Sequence, residues 1–226
     1  MDSPVNGEMK SMKKPRAIAC ILVDIGGVLL TDGWDRHARK RGADHFGLDL
    51  ADLEDRHKKT FDTHQLGKMT LDDYLDLVVF HQDRPFTPAA FRRFMFDQSK
   101  PYPEMIRLIT QLKARYRLKV GVLSNEGREL NAYRIRRFRL DRLVDFFVSS
   151  CYVHLLKPDM DIFRLALDVA GTPAARIAYI ENTAMFVDIG AGLGMQGMLH
   201  TDAAATREKL QALGLQTDDA VSHAPG

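Results

Sequence analysis

Five short apolar runs punctuate the chain: AIACILVD at 17–24, LKVGVLS at 118–124, VDFFVSS at 144–150, RIAYIE at 176–181 and MQGMLH at 195–200. Each is strand-sized. The first is nearly unbroken Ile, Leu and Val and stops at Gly26-Gly27, the pattern of a strand buried on both faces in a parallel sheet. Between the later runs the period changes to that of a helix. PEMIRLITQLKARY at 103–116 sets Met105, Ile106, Leu108, Ile109 and Leu112 on one stripe. DIFRLALDVAG at 161–171 does the same with Ile162, Phe163, Leu165, Ala166 and Val169, and Gly171 is placed to cap its end. Strands alternating with helices predict an α/β fold with a doubly wound parallel sheet.

Residues 32–100 break that rhythm. They carry only helical periodicity, at 34–46, 50–66, 70–80 and 88–96, with Thr70 and Asp73 spaced as a capping box and Pro85, Pro88, Pro101 and Pro103 closing the stretch. The expected organisation is an α/β core from 15–31 and 101–214, interrupted by an α-helical cap at 32–100, with flexible termini at 1–14 and 215–226. No internal repeat or low-complexity tract is present.

Charge removes several functional classes. Lys and Arg number 32 against 30 Asp and Glu, a net charge of +2 over 226 residues, so no excess is available for an electrostatic nucleic-acid or membrane-surface binder. No apolar run approaches the ~18 residues of a membrane span. The opening MDSPVNGEMKSMKKPR carries Asp2 and Glu8 and no apolar centre, unlike a secretory signal, and reads as a floppy leader. Two cysteines, Cys20 and Cys151, make no disulfide framework, which points to the cytoplasm. The sequence specifies no oligomeric state.

In an open α/β sheet the ligand lies beyond the carboxyl ends of the strands. The first run delivers Asp24 and then Gly26-Gly27, the second Ser124-Asn125, the fourth Glu181-Asn182, and Lys157-Pro158 follows the third. A carboxylate at a strand tip can attack phosphorus or carbon and form an ester. Ser124 can bond a phosphoryl oxygen, helped by backbone N–H groups of the next helix. Lys157 offsets developing charge. Glu181 can hold Mg²⁺ directly or through water. Gly26 and Gly27 allow close backbone approach, and Gly27 and Asn125 are expected against the substrate, a small anionic molecule.

The order Asp24, Ser124, Lys157, Glu181 resembles the four-motif signature of the haloacid dehalogenase-like hydrolase superfamily. VDIGGVLLTDG is similar to its first motif, VGVLSN to its second, KPDMDIF to its third and YIENTAMFVDIGAGLGMQGM to its fourth, and 32–100 falls where the family carries a helical cap. The resemblance spans roughly residues 15–213 and implies a hydrolase. It implies Asp24 as nucleophile, Ser124 on the phosphate, Lys157 neutralising charge, and Mg²⁺ on Asp24, the Gly26 carbonyl and the fourth motif, Glu181 and Asn182. The activity so implied is a Mg²⁺-dependent phosphatase using an aspartyl-phosphate. Two positions depart from the pattern. Gly26 stands where family phosphatases carry a second Asp as acid and base, work worth roughly 10²–10⁴-fold. Asn182 stands where they carry a metal carboxylate. Both departures also suit the alternatives, a metal-independent 2-haloacid dehalogenase or a non-catalytic binding protein of this fold.

The remaining features have plainer readings. GLGMQG at 192–197 matches a dinucleotide fingerprint in letters, but a helical segment precedes it and a strand follows, so it is a helix-ending turn. His37, His45, His57 and His64 show no metal spacing and read as surface or satisfied core groups. The basic run at 36–42 is a solvated helix face or a cap surface turned to an anionic substrate. Trp34 is a packing residue, with a substrate wall as the other reading. Arg134, Arg136, Arg137 and Arg139 read as a solvated face.

Overall fold

The computed structural model describes residues 17–217. The expectations for 1–14 and for 218–226 lie outside the described residues. Five parallel strands, β1 (Cys20–Val23), β2 (Lys119–Ser124), β3 (Phe146–Ser149), β4 (Ile177–Glu181) and β5 (Gln196–Leu199), form one sheet in the order β3-β2-β1-β4-β5. Strand β1 sits centrally, with Val23 opposite both Val122 and Ile180, so the order reverses beside its carboxyl end.

The strands alternate between two cores because successive side chains point to opposite faces. Ile21 and Val23 of β1, Val120 and Val122 of β2, and Ala178 and Ile180 of β4 pack on one face. Cys20, Leu22, Leu123, Ile177 and Tyr179 pack on the other. In chain order the helices are α1 (Arg36–Phe46), α2 (Leu50–Gln65), α3 (Leu71–Val78), α4 (Pro88–Asp97), α5 (Pro103–Tyr116), α6 (Arg128–Arg137), α7 (Ser150–Val153), α8 (Met160–Ala170), α9 (Ala184–Gly192) and α10 (Ala203–Ala212). Helices α5 and α10 cover the first face through Met105, Leu108, Ile109, Leu112 and Leu210. Helix α8 covers the second through Ile162, Phe163, Ala166 and Ala170. The doubly wound α/β sheet is therefore the fold. No helix among the described residues is long and apolar enough to cross a membrane.

Helices α1 to α4 fill the interval between β1 and α5 and bury a core of their own, with Trp34, Leu53, Tyr74, Leu75, Phe91 and Met95. Their starts are set by local chemistry. Asp35, Asp49 and Thr87 accept from first-turn N–H groups, and Thr70 with Asp73 closes a full capping box. The two chain segments leading into and out of this layer pair with each other. Thr31 N donates to Lys100 O at 2.8 Å and Tyr102 N to Leu29 O at 2.9 Å. A second dock lies at the end of α2, where Ser150 Oγ donates to Gln65 O at 2.7 Å and His154 Nδ1 lies 2.7 Å from Leu66 O.

One detail departs from the sequence reading, and two glycine turns follow it. The packed chain continues past Gly214: Leu215 and Thr217 are buried, Leu215 in the α5–α10 core and Thr217 bonded to Arg207. Apolar Leu215 supplies the reason. Gly194, at φ 91°, makes the GLGMQG segment the turn between α9 and β5, and Gly171, at φ 56°, caps α8.

Candidate active site

The central cleft opens at the carboxyl edge of β1, with a volume of about 430 Å³. Asp24, Gly26, Ser124, Asn125, Lys157 and Asn182 all border it. Three remote chain segments thus bring a carboxylate, a hydroxyl and an ammonium to one edge of the sheet.

Lys157 is the centre of the arrangement. Its ammonium is buried and lies 3.2 Å from Asp24 Oδ2 and 2.6 Å from Glu181 Oε2. It also donates to Leu123 O at 3.2 Å. Burial alone would lower its pKa, but the Asp24 and Glu181 carboxylates outweigh that and the net direction is upward. Lys157 is therefore held as a cation. Asn125 fixes its backbone from both sides: Lys157 N donates to Asn125 Oδ1 at 2.8 Å and Asn125 Nδ2 donates to Lys157 O at 2.8 Å. Expected against the substrate, Asn125 borders the cleft but commits its amide to positioning Lys157.

Asp24 is nearly buried, and its Oδ1 accepts from Ile25 N at 2.7 Å. Ser124 ends β2 almost wholly buried at the same edge. Beside Asp24, the residues 26 and 27 make the close approach that glycine allows. A Cβ on Gly27 would sit 1.9 Å from Asn182 Nδ2, and the backbone there has φ 69°. Gly27 lies off the cleft wall and packs against Asn182.

Glu181 sits deeper than the cleft wall. It is fully buried and does not border the cleft. Its Oε2 takes Lys157 and the Tyr179 hydroxyl, at 2.9 Å for the latter, while Oε1 accepts from Thr183 N at 3.0 Å. Burial first, then the Asp24 charge, pushes its carboxyl upward, with Lys157 opposing. Both oxygens are committed, so Glu181 holds Lys157 rather than offering a free ligand position. Tyr179 and Glu181 lie two apart on β4 and hence share a face.

Sequence reasoning passed over Asp32 and Glu126. Asp32 borders the cleft, and Asn182 Nδ2 donates to its Oδ1 at 3.3 Å. Partial enclosure of the carboxyl, then nearby Asp35, pushes its pKa up, although the residue as a whole is exposed. The residues bordering the cleft near Asp24 include Asp32, Gly26 and Asn182, which carry oxygen donors beside the Asp24 carboxyl. Among the described residues there is no cluster of three or more His, Cys, Asp or Glu suited to a metal. Mg²⁺ takes one or two protein carboxylates and keeps waters and phosphate oxygens for the rest, so the donor set fits that ion.

Arg134, expected in solvent, is fully buried. Its guanidinium pairs with buried Glu126, bonds Thr31 O, and donates to Ser99 Oγ at 3.0 Å. It thereby pins both segments that lead into the helical layer. A run of four arginines hides which one turns inward, because two of its three partners, Thr31 and Ser99, come from distant stretches. Arg134→Ala leaves Glu126 buried without its cation and should cost about 3 kcal/mol, read as a lowered denaturation midpoint at an unchanged slope. A midpoint matching the parent's would contradict the assignment.

The family model for haloacid dehalogenase-like hydrolases matches residues 18–194, more than half of the chain. The chain belongs to this family. A curated relative, pyrimidine 5'-nucleotidase YjjG of Escherichia coli K12, is 31% identical over 108 residues, 46% of this chain and 47% of the relative. The match therefore spans about half the length of that relative. Among solved structures of the family, a Bacteroides thetaiotaomicron enzyme in complex with magnesium and inorganic phosphate has a TM-score of 0.67 at 17% identity, covering 82% of this chain and 95% of that one. The L-2-haloacid dehalogenase of Xanthobacter autotrophicus, with chloropropionic acid covalently bound, has a TM-score of 0.56 at 14% identity, covering 92% of each chain. Those two likenesses establish the shared fold. Family hydrolases of different chemistry are built on it, so the choice between them rests on the site.

Proposed function

We propose that this hydrolase is a Mg²⁺-dependent phosphomonoesterase that works through an aspartyl-phosphate on Asp24 and takes a small phosphorylated metabolite. The observation that carries the reading is the buried Lys157 ammonium, 3.2 Å from Asp24 Oδ2 and anchored by Glu181. A cation so placed faces the Asp24 carboxyl and offsets the charge of an incoming phosphoryl group. The curated nucleotidase relative supports phosphate ester chemistry.

An Asp24 carboxylate oxygen attacks phosphorus, the bond from phosphorus to the ester oxygen breaks, and the leaving oxygen takes a proton from water. Gly26 brings no acid for that transfer. Ser124 bonds a non-bridging phosphoryl oxygen. Water then attacks phosphorus and gives up its proton to solvent. The bond from phosphorus to Asp24 breaks, which restores the carboxylate and releases inorganic phosphate. Asp24, Asp32, the Gly26 carbonyl and the Asn182 amide oxygen would hold Mg²⁺, which when bound neutralises charge on the phosphoryl oxygens. The layer α1 to α4 acts as the cap that excludes bulk water. Buried, free Cys20 and Cys151 support a reducing cytoplasm as the location.

Phosphate release from a simple aryl phosphate should fall roughly 100-fold or more on chelation and return with added Mg²⁺. Full activity in chelator would overturn the metal dependence. Gly26 and Asn182 favour a second reading, halide displacement from a 2-haloacid carbon by Asp24. Chloride released from 2-chloropropionate, undiminished by chelator, would select it over the first.

A further inference from the structure

The inner wall of the helical layer carries a polar relay that the phosphoryl chemistry does not use. Helix α2 turns His57, Phe61, His64 and Gln65 to the cleft, a spacing that stacks side chains on one helix face. Trp34 Nε1 donates to the Tyr74 hydroxyl at 3.0 Å, and that hydroxyl lies 2.8 Å from His57 Nδ1. An indole N–H can only donate, so the Tyr74 oxygen is the acceptor there. Tyr74 is buried and has no other acceptor among the described residues, so its proton goes to His57 Nδ1. His57 is then a neutral imidazole that carries its proton on Nε2. Burial first, then Arg39, pushes its pKa down to about 4, which keeps it neutral at physiological pH.

Nε2 has no protein partner among the described residues, yet it is not one of the sealed unpartnered atoms. His57 is 7% exposed and borders the central cleft, and on the other side of α2 it borders a groove with Glu54 and Lys58. Around His57 the cleft is aromatic, with Trp34, Phe61 and Phe186 on its walls. Of the two arginines bordering the cleft, Arg39 is consumed by Glu54 and by Trp34 O, and Arg36 is exposed. The wall thus offers flat apolar faces and a neutral donor, with no unpaired buried charge to receive a second anion. At about 430 Å³ the cleft takes a ring as well as a phosphoryl group.

We propose that His57 is a specificity-determining residue: its Nε2–H donates to a carbonyl or ring nitrogen of a planar, uncharged heterocycle carried by the phosphate ester. Trp34 and Tyr74 are positioning residues that fix the imidazole tautomer. The proposal rests on the phosphomonoesterase reading, which puts the phosphoryl group at Asp24.

The test measures binding and turnover separately. Asp24→Asn with Mg²⁺ is titrated calorimetrically with uridine 5'-monophosphate, whose base is neutral and bears carbonyls, and with ribose 5-phosphate, the same ester without the base. The nucleotide should bind about tenfold more tightly, and His57→Phe in that background should erase the difference while leaving ribose 5-phosphate unchanged. Tyr74→Phe keeps the core filled and should lose part of the preference. It should also move the imidazole proton off Nε2 in nitrogen NMR, a change that mere packing would not produce. Equal affinity for the two ligands in the parent, equal loss of both in His57→Phe, or an unmoved tautomer in Tyr74→Phe would overturn the proposal. A binding preference with no turnover by the unmutated chain would instead sink the phosphomonoesterase reading and leave the recognition site standing.

Discussion

Asp24→Asn should abolish turnover, with a loss of at least roughly 10⁴-fold in kcat at little cost in stability. The amide is isosteric, keeps an oxygen to accept from Ile25 N, and leaves Lys157 bonded to Glu181 and Leu123 O. What it removes is the nucleophile. An amide does not form the acyl-phosphate that splits the displacement into two steps. No other carboxylate replaces it. Glu181 is sealed below Lys157, and Asp32 is held against Asn182 without a cation as close as the one Asp24 has. Steady-state assay with an aryl phosphate and Mg²⁺ checks the loss, beside a denaturation curve that shows the variant folded. Activity within about tenfold of the parent in a folded variant would remove Asp24 from the chemistry.

Lys157→Met should damage both activity and stability. Methionine has a similar length and fills the same space, so the change isolates the charge. Two carboxylates, Asp24 and Glu181, then share a buried edge with no cation between them. Breaking a buried pair from one side costs about 3–5 kcal/mol, and loss of charge offset at phosphorus should lower kcat by roughly 10³-fold. The stability deficit has a definite pH dependence. Without Lys157, burial and Asp24 push the Glu181 carboxyl further above its ordinary 4.5. The folded variant then binds a proton that the unfolded chain has released, so stability falls as pH rises through that window. The deficit should be small near pH 4.5 and largest at neutral pH and above. Denaturation midpoints measured across pH 5–8 relative to the parent test the sign; a deficit that shrinks as pH rises would contradict it.

The fold was legible where physics is local. Parallel strands must be apolar on both faces, so β1, β2 and β4 stood out as unbroken runs, and their ends announced Asp24, Ser124 and Glu181. The helix cap at Thr70, boxed with Asp73, is equally plain. Orientation was less so. Lys157 reaches the sheet edge from the loop after α7, and the inward turn of Glu181 goes with Tyr179, two residues earlier on the same strand face. That signal lies in IAYIE. Arg134 was not readable, since its partners Thr31, Ser99 and Glu126 meet only in the folded chain. His57 looked like one scattered histidine until Tyr74 and Trp34 supplied its tautomer.

The most direct measurement is acid quench of the unmutated chain during turnover of a phosphate ester labelled in its phosphoryl group. Acyl-phosphates survive acid and are cleaved by hydroxylamine, so the label should appear on the peptide containing Asp24 and be released by hydroxylamine. Continued turnover with label on a different residue, or with none on the protein, would contradict covalent catalysis at this carboxylate.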